Sequence, residues 1–232
     1  MFSGIAHRYD FLNHLLSASV DHRWRRLAAE RVVNLAGKSN LRVLDLCSGT
    51  GDLAIELARI PDAQVLAADF CHPMLTRAAP KIAAAGFSGA IGILEADALA
   101  LPLPDACCDA VTIAFGLRNL ADRARGVSEM RRVLKPGGAL VVLEFSRPVA
   151  PVFRQVFEFY FQHVLPRLGA WISGDGGAYT YLPDSVAKFP SQTDLAAALG
   201  ALGFARVGYR NLFGGVAALH WGLKPKGERA AL

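Results

Sequence analysis

Two glycines set between carboxylates form the first pattern in this chain that could do chemistry. The segment Asp45-Leu-Cys-Ser-Gly49-Thr50-Gly51-Asp52 follows a leucine-rich run and opens a helical one. Glycine accepts positive φ and lets the backbone approach a ligand, which suits a tight strand-to-helix turn. Such turns often cradle a pyrophosphate, with the fingerprint G-x-G-x-x-G. Here the pattern is D-x-x-x-G-x-G-D. Asp45 and Asp52 would repel phosphate and attract a cation. The acidic flanks therefore favour S-adenosylmethionine, which carries a sulfonium and an ammonium and no phosphate, over a dinucleotide.

Two further acids close later apolar runs. Asp69 ends the second run, within LAADF, about 20 residues beyond the glycines, where an acid can accept both ribose hydroxyls. Its alternative role is to cap a helix starting at His72. Asp97-Ala98 follows the third run. There the carboxylate can take the adenine amine and the Ala98 N–H a ring nitrogen; the alternative is an exposed loop acid. Arg118 and Asn119 stand just past the fourth run, in TIAFGLRN. A charge at an otherwise apolar strand end either stabilises a developing anion or forms a salt bridge with Asp122 or Glu144. Arginine rarely deprotonates, so it is a poor base.

The elements that must position these groups alternate. Strands are predicted at 42–47, 64–68, 91–94, 109–114 and 139–145, with helices at 51–60, 72–85 and 121–134. That rhythm means an α/β fold with a doubly wound, mostly parallel sheet whose ligand sits at the carboxyl ends of the strands. A helix at 191–202 follows, with Ser191 and Asp194 near capping-box spacing. Two last strands, near 204–210 and 216–223, flank a short NLFGG segment and read as an antiparallel hairpin. Seven strands ending in such a hairpin are the layout of class I S-adenosylmethionine-dependent methyltransferases. Residues 1–38 read as a helical cap, with Asp21 as a capping residue. Residues 148–190 break the rhythm with an aromatic insertion, and residues 1–232 read as one domain.

Composition bounds the rest. The chain has 232 residues, of which 53% are hydrophobic and 19% charged, enough apolar mass to bury a core and too much for disorder. No apolar run reaches the roughly 18 residues of a membrane span, and the start lacks a secretory pattern. A cytoplasmic location is expected. Cys47, Cys71, Cys107 and Cys108 form no CxxC pair; they read as reduced, packed thiols with no metal site. The net charge of +5 gathers at Arg23, Arg25, Arg26 and Arg31 and at Lys224, Lys226 and Arg229. Both clusters read as solvated faces, and they permit contact with an anionic membrane surface. No aromatic-basic interleaving suggests a stacking groove, so no nucleic acid is expected. The oligomeric state stays open.

Four segments resemble one family, the UbiE/MenG quinone C-methyltransferases. They are residues 1–24, with Tyr9, Asp10, Asn13, Ser17 and Trp24 in register; FGLRN at 115–119; RVLKPGGALVVLEFS at 132–146; and YTYLPDSVAKFP at 179–190. The resemblance extends over nearly the whole chain, excepting the last few residues, and the first and fourth segments are the specific ones. Two positions depart. Asp21 stands where relatives often have His, and Ala114 where they often have a Ser thought to touch the cofactor. Ala114 can still offer its backbone. The resemblance implies that Thr50, Asp69, Asp97 and Ala98 bind the cofactor, alongside Asp45, Gly49 and Gly51 of the loop. It also implies methyl transfer to a ring carbon of a reduced, prenylated quinone precursor. Demethylmenaquinol is the commoner substrate among bacterial relatives, and a ubiquinone-pathway benzoquinol is the alternative.

That chemistry needs an aligned methyl, a stabilised phenolate and a dry site. Arg118 is expected to stabilise the phenolate, directly or through water, and Asn119 to orient it. Tyr179, Tyr181 and His163 are further candidates near the quinol oxygen. Phe153, Phe157, Phe161 and Leu165 recur at i, i+4 spacing; they suit a core, or a lid over the isoprenoid tail closed on its other side by Tyr9 and Phe11. The rival readings lack their signatures. No Tyr has Lys four residues on, as a short-chain oxidoreductase requires, and no Asn/Asp-Pro-Pro-aromatic turn of a base-amino methyltransferase follows the fourth strand. A non-catalytic cofactor-binding protein is the rival from another class.

Overall fold

Leucine- and β-branched runs of about the same length, separated by amphipathic stretches, can bury both faces only as strands covered by helices on either side. A computed structural model describes residues 20–37, 39–149 and 185–227, and shows that arrangement. The strands are β1 (Arg42–Leu46), β2 (Gln64–Asp69), β3 (Ile91–Glu95), β4 (Cys108–Ala114), β5 (Leu134–Phe145), β6 (Ala205–Leu212) and β7 (Ala217–Leu223). The longer helices are α1 (Asp21–Ala36), α2 (Asp52–Ala58), α3 (His72–Ala84), α4 (Arg123–Val133) and α5 (Gln192–Ala201).

The seven strands pair in the order β3-β2-β1-β4-β5-β7-β6. The first five are parallel, and β7 runs antiparallel to both β5 and β6. The order reverses between β1 and β4, so the crevice outside their carboxyl ends is the place for a ligand.

Side-chain alternation divides the core in two. Val141, Leu143 and Phe145 of β5 pack on the face that carries Trp24, Ala28 and Val32 of α1. Leu140 and Val142 pack on the other face, with Val127 and Met130 of α4 and Leu195 and Leu199 of α5.

The helix ends follow local chemistry. Gly37 stops α1 in the left-handed region, its N–H returned to the Val33 carbonyl. Asp122 caps α4, accepting from the Arg125 N–H at 2.9 Å. Ser191 caps α5: its hydroxyl accepts from the Asp194 N–H at 3.2 Å and donates to the Asp194 carboxylate at 2.6 Å. Three details differ from expectation. Asp21 is not a cap; it lies inside the first turn of α1, fully buried, and pairs with Arg25. Strand β5 starts at Leu134 rather than 139, because Leu134 pairs with Cys108 across a register shift. Lys224, read as solvated, donates its ammonium to the Leu134 carbonyl at 2.7 Å.

No helix among the described residues is long and apolar enough to cross a membrane. Cys107 and Cys108 are free thiols with sulfurs 3.5 Å apart.

Candidate active site

The loop after β1 is built from backbone turns that only small residues permit. Gly49 and Gly51 have φ of 57° and 86°, and Gly51 is the N-cap of α2. The Ser48 N–H donates to the Ala68 carbonyl of β2 at 3.1 Å, and the Gly51 N–H to the Ser48 carbonyl at 2.9 Å. A second turn presses on this one. A Cβ on Gly116, just past β4, would stand 2.4 Å from the Cys47 Cβ, so only glycine lets the two strand ends approach so closely.

Asp69 ties the loop to the end of β2. One carboxylate oxygen accepts the Gly49 N–H and the other the Cys71 N–H, each at 2.8 Å. Cys71, not Asp69, is the N-cap residue of α3. A carboxylate has about four acceptor positions, so each oxygen keeps capacity for a ligand. Burial pushes the Asp69 carboxyl up, and the two backbone N–H groups oppose that shift. Asp97 makes a tighter local turn, accepting the Leu99 N–H at 2.8 Å, and Ala98 beside it is buried.

Asp45 lies at the floor of the site, fully buried on β1. The Thr112 hydroxyl of the neighbouring strand donates to its Oδ1 at 2.7 Å. Its Oδ2 and the Ser48 hydroxyl are buried without a hydrogen-bond partner among the described residues. Burial raises the Asp45 carboxyl to about 7, with Thr112 and the Arg25 charge pulling the other way and the Asp69 charge adding to the rise. Asp52 is already engaged: Lys81 of α3 pairs with it at 2.7 Å and donates to the Thr50 hydroxyl at 3.0 Å.

These groups converge on one cavity of about 720 Å³, lined among others by Asp45, Gly49, Asp69, Asp97, Ala114 and Asn119. Such a volume takes a nucleoside-sized ligand with its side chain. One acid stands at the end of each of β1 and β2 and just past β3. The cavity also holds two polar atoms that a ligand would satisfy, and a glycine loop open to close approach. That donor set fits a cationic nucleoside far better than a polyphosphate.

Residues 1–224 match the ubiE/COQ5 methyltransferase family. The chain belongs to this family. S-adenosylmethionine is accordingly the methyl donor, in agreement with the cationic ligand expected from the acidic loop. Among the family's curated members, the demethylmenaquinone methyltransferase of Thermus thermophilus is 54% identical, over 97% of this chain and 100% of the relative. That of Deinococcus radiodurans is 52% identical over 97% and 91%. The ubiquinone/menaquinone biosynthesis C-methyltransferase UbiE of Geobacter sulfurreducens is 46% identical over 97% and 87%. The fold is wider than the family's chemistry. The [4+2]-cyclase SpnF superposes with a TM-score of 0.69 at 22% identity, over 89% of this chain and 82% of that one. A methyltransferase from Aquifex aeolicus superposes with a TM-score of 0.61 at 20% identity, over 84% and 89%. The fold alone therefore does not set the reaction.

The family's FGLRN segment splits in space. Asn119 lines the cavity, with its amide donating to the Phe115 carbonyl at 3.4 Å. Arg118 lies behind it, its side chain 1% exposed and outside the cavity lining. Its Nη1 donates to Glu144 at 2.5 Å and to the Phe115 carbonyl at 2.6 Å, and its backbone N–H meets Glu144 at 3.2 Å. Of the two salt bridges considered from sequence, the one to Glu144 is present, while Asp122 caps α4. His163, Tyr179, Tyr181, the Phe153–Leu165 series, Tyr9 and Phe11 lie outside the described residues.

Arg25 is a site residue that the sequence reading does not single out. Grouped by sequence with a solvated basic face, it is 6% exposed and lines the cavity. The signal was available: Arg25 shares the stripe Trp24, Ala28, Ala29, Val32, and Asp21 lies four residues before it on the same face.

Proposed function

We propose that this chain methylates a ring carbon of a reduced quinone precursor, converting demethylmenaquinol to menaquinol in menaquinone biosynthesis. The observation that carries the reading is the relative at 54% identity, matched over its whole length and named a demethylmenaquinone methyltransferase. The relative named for both quinones, at 46% identity, supports a second reading in which the ubiquinone-pathway benzoquinol is also taken.

When bound, S-adenosylmethionine supplies an electrophilic methyl group on its sulfonium. In the transfer a carbon–sulfur bond breaks, a carbon–carbon bond forms, and the ring carbon loses its proton. Asp69 accepts ribose hydroxyls with its remaining lone pairs. Asp97 and the Ala98 N–H read the adenine edge, and Thr50, Gly49, Gly51 and the Ala114 backbone line the rest. Asp45 offers its spare oxygen to the cationic end of the cofactor. Asn119 orients the quinol oxygen, and Arg118, fixed by Glu144, places positive charge behind it as the phenolate develops. His163, Tyr179 and Tyr181 are the candidate proton carriers. Residues 148–190 act as a lid over the prenyl tail, with 1–38 as the facing cap. The exposed Arg23 and Arg26 of α1 suit peripheral contact with the anionic inner face of the membrane, where a prenylated quinol resides.

The test is methyl transfer from labelled S-adenosylmethionine to reduced demethylmenaquinone and, separately, to the reduced ubiquinone precursor. Label in the first alone gives the menaquinone role, and label in both gives the double role. Label in neither, from protein that binds the cofactor, would overturn the quinone assignment.

A further inference from the structure

The cavity is strongly acidic, yet its cofactor ends in a carboxylate. Among the described lining residues, Asp45, Asp52, Asp69, Glu95 and Asp97 face a single guanidinium, Arg25, and no lysine. A ligand carboxylate placed among such acids without a cation would carry the full cost of like-charge repulsion and lost hydration.

Arg25 enters the cavity from α1. Its Nη1 pairs with the buried Asp21. Its Nη2 stands 4.0 Å from Asp52, outside hydrogen-bond range, and the Asp52 carboxylate is held instead by Lys81 at 2.7 Å. The guanidinium carbon lies 5.7 Å from the centre of the Phe115 ring, so the group is clamped between the glycine loop and the turn after β4. A guanidinium has five donors in a rigid fork; Asp21 engages Nη1, and the residue lines the cavity. Along the sheet, Asp97 follows β3, Asp69 ends β2, and Arg25 stands over the junction of β1 and β4. With adenine at Asp97 and ribose at Asp69, the amino-acid end of the cofactor falls toward Arg25. This orientation rests on the cofactor contacts proposed above.

We propose that Arg25 is the receptor for the α-carboxylate of S-adenosylmethionine, held in place by Asp21. The pair couples α1 to cofactor binding, because that helix delivers the one guanidinium found among the described lining residues.

The test compares two ligands that differ only in the carboxylate, S-adenosylmethionine and its decarboxylated form, by calorimetric titration. Arg25→Gln should weaken the first by about 10- to 100-fold, the range for a charge-assisted contact, and the second by less than about threefold. Because Arg25→Gln leaves Asp21 buried without a counter-charge, Asp21→Asn/Arg25→Gln serves as the folded comparison and should show the same discrimination between ligands. Equal losses for both ligands, or no loss for either, would overturn the assignment. The orientation is checked apart with 5′-methylthioadenosine, which has no amino-acid end. Asp69→Ala should weaken its binding and Arg25→Gln should not. If Asp69→Ala has no effect the ribose contact fails, while the carboxylate comparison still decides Arg25.

Discussion

At the scale of single residues, the site is governed by what burial does to charge. Burial pushes the Asp45 carboxyl up to about 7, and a bound cation favours its ionised form. Cofactor binding near pH 6 should therefore release a proton, and affinity should rise as pH climbs toward about 7 and then level off. Titration in buffers of different ionisation enthalpy measures that proton, and Asp45→Asn should abolish both it and the slope. Without ligand the sign reverses. The fold holds the Asp45 proton more tightly than the unfolded chain, so this group lowers stability as pH rises between 3.8 and about 7. Arg118 makes a second prediction. Arg118→Ala should cost turnover far more than cofactor affinity, since its side chain lies behind the cavity and not in its wall. Equal losses in both would make it a cofactor-site residue and sink the phenolate role. The acids and glycines of this site were legible in sequence because their types and spacing alone imply the chemistry. The pairing of Arg118 was only one of two alternatives, because Glu144 lies 26 residues away and only the β4–β5 register brings it near. Asp21 was misread because burial converts a surface cap into half of an ion pair.

At the scale of elements, the strand and helix alternation was readable from periodicity almost throughout. Boundaries failed where local propensity and pairing disagree. The strand expected from 139 takes in Lys135-Pro136-Gly137-Gly138 as well, with Gly137 at a φ of 80°, because Leu134 pairs with Cys108 across the register shift. The hairpin shows the opposite case, in which packing selects the residue. A Cβ on Gly208 of β6 would stand 2.6 Å from the Trp221 ring, which is itself covered by Arg31 with its guanidinium carbon 3.9 Å from the ring centre. Gly208→Ala should displace that indole and lower the melting temperature, and Trp221 fluorescence should report the shift. An unchanged spectrum and melting point would mean that the hairpin absorbs the methyl by sliding. The α5 cap is the milder probe. Ser191→Ala should cost about 1 kcal/mol in denaturant titration and leave cofactor affinity alone, since α5 packs away from the cavity.

At the scale of the whole molecule, α1 is the element that joins stability to function. Trp24 sits against Phe115 and Phe145, with ring centres 6.4 Å away in each case, and those two rings lie 4.6 Å apart. This aromatic cluster closes the carboxyl ends of β4 and β5 on one face, and the next residue of the same helix, Arg25, reaches the cavity. Trp24→Ala removes a 3% exposed side chain from this cluster and should cost about 3–5 kcal/mol. Its effect should also be visible in binding, because a helix that repacks carries Arg25 with it and loosens the turn after β4. Saturating cofactor should then recover part of the lost stability, since ligand binds only the folded form. Trp24→Phe, which keeps a ring, should fall between the two. The measurement is a denaturant titration of each variant with and without S-adenosylmethionine. A stability loss below about 1 kcal/mol with unchanged affinity would show that α1 is a passive cover. A large loss in both quantities would show that the helix closing the sheet is also the one that completes the cofactor site.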